Sequence, residues 1–266
     1  MYTRRDLLYG GVGGLVSALF PRRSQASCSA LVLDIQFEVI TEDPVSLEFF
    51  TGKSRDLVER LVEPSQKLFA RELGIPVTVF SYGPFTGLPK DEKEIITIFY
   101  GTKKRFLSAG YPTMEDLYGL LSYSDGDVVE KVREGYEKTP DRAKFENALR
   151  AAILLEALKP VSGIADKNRK LVGLFPPDAK EIHEVQTYLP EKDVVDVFTR
   201  IIGRTLAHEL GHIFGLSHAR KRMLKNEKFD VMRQMAAMPI DDYMDMNYDF
   251  SKRDQQRIHA AQCSNE

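Results

Sequence analysis

Apolar residues in this chain recur at two periods, and the switches between them outline most of its elements. Leu31 to Ile40 alternates apolar and polar positions and is rich in β-branched residues, which predicts a first strand. Ser54 to Leu73 carries apolar residues at helical spacing. It predicts an amphipathic helix with Ser54 as N-cap, ended by Gly74. Ile75 to Phe80 and Glu94 to Tyr100 read as a second and a third strand. Tyr82 to Asp91, holding two prolines and two glycines, reads as a loop. Thr113 to Lys159 reads as helical, most clearly from Asp141 to Leu158, where Phe145, Leu149, Ile153, Leu154 and Leu158 form one stripe. Leu171 to Phe175, followed by Pro176-Pro177, predicts a short strand. Glu181 to Leu189 alternates around Val185, Thr187 and Leu189 and reads as another strand.

The densest apolar set lies further on. Val194, Val195, Val197, Phe198, Ile201, Ile202, Leu206, Leu210, Ile213 and Phe214 recur at helical spacing, as in a helix buried on most sides. Either Asp193 or Asp196 serves as its N-cap, with Pro190 before it. Gly203 in its interior costs up to ~1 kcal/mol relative to alanine, which close packing against a neighbour would explain. Strand, helix, strand, strand at these spacings predicts an α/β upper subdomain with a twisted mixed sheet, within a chain whose fold class is expected to be α+β. No internal repeat, low-complexity tract or long linker interrupts it.

Composition adds little until the N-terminus. Apolar content is 43%, charged content 29% and net charge −2, ordinary for a soluble globular chain. The charges are interspersed and form no basic face, so nothing points to nucleic acid. The run Arg220-Lys221-Arg222, with Lys225 and Lys228, reads as a solvated loop surface. Residues 1–26 are different. Arg4-Arg5 precede an apolar, glycine-rich stretch from Leu7 to Phe20, then Pro21, Arg22, Arg23 and the small-residue segment Ser24-Gln25-Ala26-Ser27. This is the layout of a secretory signal of the twin-arginine type, with cleavage after Ala26. The apolar run is shorter than the ~20 residues of a membrane-spanning helix. The twin-arginine export machinery is then a partner, and the mature chain 27–266 is periplasmic or extracellular, without a stable membrane span. Lipidation at Cys28 and an uncleaved anchor are the other readings of this segment. Cys28 and Cys263 are the only cysteines. An oxidising compartment and the usual proximity of chain termini allow them to pair; otherwise Cys28 lies in a tail or carries lipid.

The candidate chemistry lies at the end of the apolar helix, in His208-Glu209-Leu210-Gly211-His212-Ile213-Phe214-Gly215-Leu216-Ser217-His218. An α-helix has about 3.6 residues per turn, so residues four apart share a face. His208 and His212 therefore present two imidazoles to one ion. Glu209 flanks that pair without occupying a ligand position. His218 lies too far along to share the face, so the chain must leave the helix and turn back at Gly215, a residue that accepts the left-handed conformation. Three protein ligands leave a fourth position for water, as in catalytic zinc sites; structural sites are normally closed by four. The expected cofactor is one Zn²⁺. The expected activity is hydrolysis of peptide bonds by a metal-activated water, with Glu209 as general base and acid. Two rivals are a zinc-binding protein without peptidase activity and a zinc hydrolase of small amides. Glu209 argues against the first. Export of a folded chain also fits a metalloprotein, which can acquire its ion before it crosses.

The segment matches H-E-x-x-H-x-x-G-x-x-H, the long zinc signature of the metzincin metallopeptidases. With Phe229-Asp230-Val231-Met232 at its distance from His218, the chain resembles the archaemetzincin branch from His208 to Met232. The resemblance implies a zincin-like fold, in which an upper subdomain (about 31–215) ends in the active-site helix. A C-terminal subdomain (about 216–266) follows, with Met232 as the methionine of the turn below the metal. It implies a peptide or protein substrate, aligned by main-chain pairing with an edge strand beside the cleft. Leu171 to Phe175 or Glu181 to Leu189 is expected to be that strand, with His183 on the surface or rim. Tyr243 and Tyr248 are candidates to assist the oxyanion, or are packing residues. The chain departs from archaemetzincins at the second, cysteine-bound zinc. Ala219 and Asp230 stand where cysteines are usual, so that second site is not expected.

Overall fold

The computed structural model describes residues 27–88, 94–111, 113, 116, 133–157, 162–177, 179–188, 193–219, 223–233 and 238–264. The signal-like segment 1–26, most of the helical reading between 113 and 132, and the basic run 220–222 lie outside the described residues.

A five-stranded mixed sheet organises the chain. Strand β1 (Ser27–Cys28) leads into β2 (Leu31–Phe37); β3 (Val77–Pro84), β4 (Ile95–Tyr100), β5 (Gly163–Asp166) and β6 (Leu171–Leu174) follow. The sheet order is β3-β2-β4-β6-β5; β3, β2, β4 and β6 run parallel, and β5 is the antiparallel edge. Strand β2 alternates buried and half-buried positions, as its sequence predicts. Strands β4 and β6 are almost wholly buried, which is what continuous apolar runs such as Ile95-Ile96-Thr97-Ile98-Phe99-Tyr100 signify in a parallel sheet covered on both faces.

Two helices fill one face. Helix α1 (Pro44–Glu48) begins a winding segment that passes through a π-helical stretch, Phe49–Lys53, into α2 (Ser54–Ser65), and then through Gln66–Arg71. Gly74, at φ 70°, ends it where the sequence placed the stop. The start differs from the expectation. Ser54 is the first residue of α2 and not its N-cap: the chain kinks at Gly52, at φ 98°, and Lys53 takes the cap position without a side-chain hydrogen bond. Helix α1, before the kink, is capped by Asp43, whose carboxylate accepts from Ser46 N at 2.7 Å, with Pro44 in the first turn. Aspartate followed by proline is a helix-start signal in its own right.

Helix α6 (Val194–Ile213) packs beside α2. The helices between are α3 (Lys103–Gly110), α4 (Arg142–Ala157) and α5 (Ala179–Tyr188). Asp193 caps α6, accepting from Val195 N and Asp196 N, which decides between the two candidate caps. Leu57, Val58 and Leu61 of α2 and Phe198, Ile202, Leu206 and Leu210 of α6 join Leu33, Ile35, Ile98 and Tyr100 in one core. Gly203 meets α2 directly: a Cβ there would lie 2.7 Å from the Leu61 carbonyl oxygen and 2.9 Å from Pro64 Cγ. A smaller cluster on the other face joins Phe99, Phe106, Leu107, Tyr111, Leu171 and Phe175.

Residues 181–188 do not form a strand, and Leu189 lies outside the described residues. Ala179–Tyr188 is the helix α5, with Ile182 buried and Val185 packed against the core. Period-two alternation over so few residues also fits two turns of a half-exposed helix, and tertiary packing decides between them. The edge strand next to β6 is instead β5, a segment too short to register in the sequence.

The C-terminal part is looser in regular structure. Strand β7 (Phe229–Asp230) pairs with β8 (Tyr248–Asp249); α7 (Ile240–Met244) lies between them and α8 (Lys252–Gln262) follows. Strand β9 (Cys263–Ser264) pairs with β1, and Cys28 is disulfide-bonded to Cys263. No helix among the described residues is long and apolar enough to cross a membrane.

Candidate metal centre

Three imidazoles converge where α6 ends. His208, His212 and His218 bring ring nitrogens within 4.8 Å of one another. The Nε2 atoms of His208 and His218 each lie 3.1 Å from His212 Nε2. The planes of His208 and His212 stand at 84°, and those of His212 and His218 at 87°.

The sequence produces this arrangement in two steps. The helix carries His208 and His212 on one face. It then stops at Gly215, whose φ of 75° is left-handed. Gly215 N donates to His212 O at 2.8 Å and Leu216 N to Gly211 O at 3.1 Å. This is a Schellman closure, with Leu216 buried as its apolar contact. The reversed chain delivers His218 two residues later.

Hydrogen bonds at the far nitrogens fix two of the rings. His208 Nδ1 lies 2.6 Å from Val231 O, and His212 Nδ1 lies 2.7 Å from Leu216 O. A carbonyl oxygen only accepts, so both Nδ1 atoms carry hydrogen and both Nε2 atoms of the neutral rings present lone pairs. Burial holds the rings neutral, pushing His208 from 6.5 down to about 3. It also lowers His212 and His218. Lone pairs at 3.1 Å repel unless a cation lies between them. In a tetrahedral zinc site, with Zn–N bonds of about 2.0–2.1 Å, nitrogens lie about 3.3–3.4 Å apart. The donor set and its spacing therefore fit one Zn²⁺.

Glu209 stands on the flank expected for it. It is 5% exposed and packed against β5: a Cβ on Gly163 would fall 2.8 Å from Glu209 Cγ and 2.9 Å from its Oε1. Removal from water raises its pKa from 4.5 to about 8, against an opposing pull from the Arg204 guanidinium. The strand bordering this carboxylate is thus β5. Of the two expected candidates, Leu171–Leu174 is interior to the sheet and 181–188 is helical.

Met232 is fully buried beside the same helix. Its Sδ would be only 2.4 Å from a Cβ on Gly211, so the glycine between the two helical histidines admits the thioether. Asp230 accepts from Met232 N at 2.9 Å, and Ala219 N donates to Met232 O at 2.9 Å. The positions expected to lack cysteine thus brace the turn with hydrogen bonds. Tyr248 is wholly buried and its hydroxyl pKa is well above normal through burial, so it cannot meet a substrate; Tyr243 packs against the core. His183 is exposed on α5. Cys28, His259 and Cys263 also lie close together, but the disulfide leaves no thiolate for a metal there.

One buried residue went unread in the sequence. Arg204, on α6 one turn before His208, is 7% exposed and donates through Nη2 to the carbonyls of Asp230, Val231 and Arg233. An arginine at i−4 from His208, set among the apolar positions Ile201, Ile202 and Leu206, was the available signal.

No protein-family model matches the chain, and no curated protein does. Among solved structures it is similar to a zinc-dependent peptidase from Methanocorpusculum labreanum. The two are 18% identical over 85% of this chain and 99% of that one, at a TM-score of 0.35, a likeness too slight to carry an argument about fold or activity.

Proposed function

We propose that this chain is a zinc-dependent peptidase of the metzincin type. His208, His212 and His218 hold one Zn²⁺, and Glu209 is the general base and acid. The observation that carries this reading is the convergence of three imidazole nitrogens beside a buried carboxylate. When bound, zinc supplies a Lewis acid that makes water a nucleophile near neutral pH and polarises the scissile carbonyl. Glu209 takes the proton of the attacking water and later delivers it to the leaving amine. Burial raises the Glu209 carboxyl to about 8 in the metal-free protein; the charge of a bound zinc beside it would draw that back down, so that the group could take a proton as well as give one near neutral pH. The outer edge of β5 offers main-chain donors and acceptors to an extended peptide passing Glu209. Gly215 turns the chain toward the third ligand, and Met232 is the turn methionine of a zincin-like fold. Upper and C-terminal subdomains then meet near residue 215. The twin-arginine-type segment would export the folded, metal-loaded chain to the periplasm or beyond, where the disulfide persists.

The test is incubation of the zinc-loaded protein with a diverse peptide library, with and without chelator. Cleavage should stop on chelation and return with zinc. Glu209→Gln should keep one zinc per chain and lose about 10²–10⁴-fold in turnover. Full activity in that variant would remove Glu209 from its role. A zinc-loaded wild type that cuts no peptide would leave the binding protein or the small-amide hydrolase.

A further inference from the structure

We infer that Arg204 is a positioning residue of the metal centre: it locks the turn at Asp230–Arg233 onto α6 and so fixes the ring of His208. The inference rests on the zinc reading above and adds a residue to it.

A buried guanidinium is costly to desolvate and needs compensation. Among the described residues no carboxylate forms an ion pair with Arg204. Its partners are main-chain oxygens, and all belong to one turn: Asp230 O at 3.4 Å, Val231 O at 3.2 Å and Arg233 O at 3.5 Å. The middle oxygen is the informative one. Val231 O also receives His208 Nδ1 at 2.6 Å. Two side chains one helical turn apart therefore grip the same carbonyl. The turn cannot slide along α6 without breaking both bonds, and His208 cannot rotate without losing its acceptor.

The other sides of the turn are held separately. Val231 N donates to Asp249 O at 2.9 Å, and Met232 O accepts from Ala219 N. Arg233 Nη1 reaches Ala219 O at 3.3 Å. From the helix that carries His208 and His212, Arg204 and His208 both reach this turn, and Arg204 does so without offering a nitrogen to the cluster. An outer partner of this kind sets the ring orientation and tautomer of a metal-ligating histidine.

The experiment compares the wild type with Arg204→Met and Arg204→Gln in a zinc-competition titration against a chromophoric chelator. The visible spectra of the cobalt-substituted proteins and the melting curves of the metal-free proteins are recorded in parallel. Arg204→Met should weaken zinc binding by roughly 10–100-fold, the usual effect of losing an outer-shell partner. It should also shift the cobalt bands; Arg204→Gln, which keeps amide donors, should fall between. A role confined to stability would lower the melting temperature of metal-free and loaded protein alike and leave the dissociation constant unchanged. A folded variant that binds zinc within threefold of wild type, with unshifted bands, overturns the inference. If neither variant folds, Arg204 is a folding residue and the inference also falls. A wild type that takes up no zinc would instead sink the metal reading itself.

Discussion

Beside Glu209 there is no room for a methyl group. A Cβ on Gly163 would press on Glu209 Cγ, Glu209 Oε1 and Thr205 Cγ2, all within 2.9 Å. Gly163→Ala should therefore displace the carboxylate, and a misplacement of about 1 Å can cost ~10²-fold in rate. The expected result is a loss of at least tenfold in kcat with zinc affinity unchanged, measured by peptide turnover and chelator competition; unchanged kcat would free Glu209 from dependence on β5. Burial also gives the metal-free protein a distinctive pH dependence. His208 is depressed from 6.5 to about 3, so its contribution is present above pH 6.5 and lost as pH falls toward 3. Glu209 is raised from 4.5 to about 8, so its contribution is present below pH 4.5 and lost as pH rises through 8. The two slopes oppose each other between 4.5 and 6.5. Urea unfolding of chelated protein should show stability falling below pH 4.5 and again from 6.5 to 8, and Glu209→Gln should flatten the alkaline limb. The three histidines, Glu209 and Gly215 were legible because their spacing is a chemical requirement. Arg204 and Gly163 were not, because what they do depends on segments far away in sequence.

The elements themselves divide along similar lines. Strand β2, α4 and α6 were readable because a single period runs through each, and Gly74 and Asp193 punctuate the chain as their types predict. Strand β5 was not, since four residues carry no measurable period. Residues 181–188 misled because alternation around Val185 and Thr187 is shared by a short strand and a half-exposed helix. Gly203 is an element-scale feature: it sets how closely α6 approaches α2. Alanine there would gain up to ~1 kcal/mol in helix propensity. The new Cβ would however stand 2.7 Å from the Leu61 carbonyl oxygen, and backbone cannot swing aside. Overpacking costs of about 1–3 kcal/mol should prevail. Gly203→Ala is expected to lower the urea midpoint with little change in slope; an unchanged or raised midpoint would mean the helices part easily.

Across the described residues, one core cluster runs from Leu31 through α2 and α6 to Ile258, so the three-histidine cluster is seated on the sheet-and-helix scaffold and closed by the C-terminal segment. The sequence offered this only as a resemblance, because short elements such as β7 and β8 have no signal until they pair. Of the readings left open for the two cysteines, the structure has the paired one, Cys28 with Cys263. Closing so long a loop should stabilise the fold by about 2–4 kcal/mol. Cys28→Ser with Cys263→Ser should lower the melting temperature by several degrees while leaving the zinc stoichiometry intact; an unchanged melting temperature would mean β1 and β9 hold without it.

That bond spans 235 positions of the sequence, which makes nearly all of the chain from Ser27 onward a covalent ring. A single self-inflicted cut anywhere inside the ring would leave the pieces joined, migrating as one band in denaturing gels run without thiol. Autolysis by this protein would come to light only after reduction.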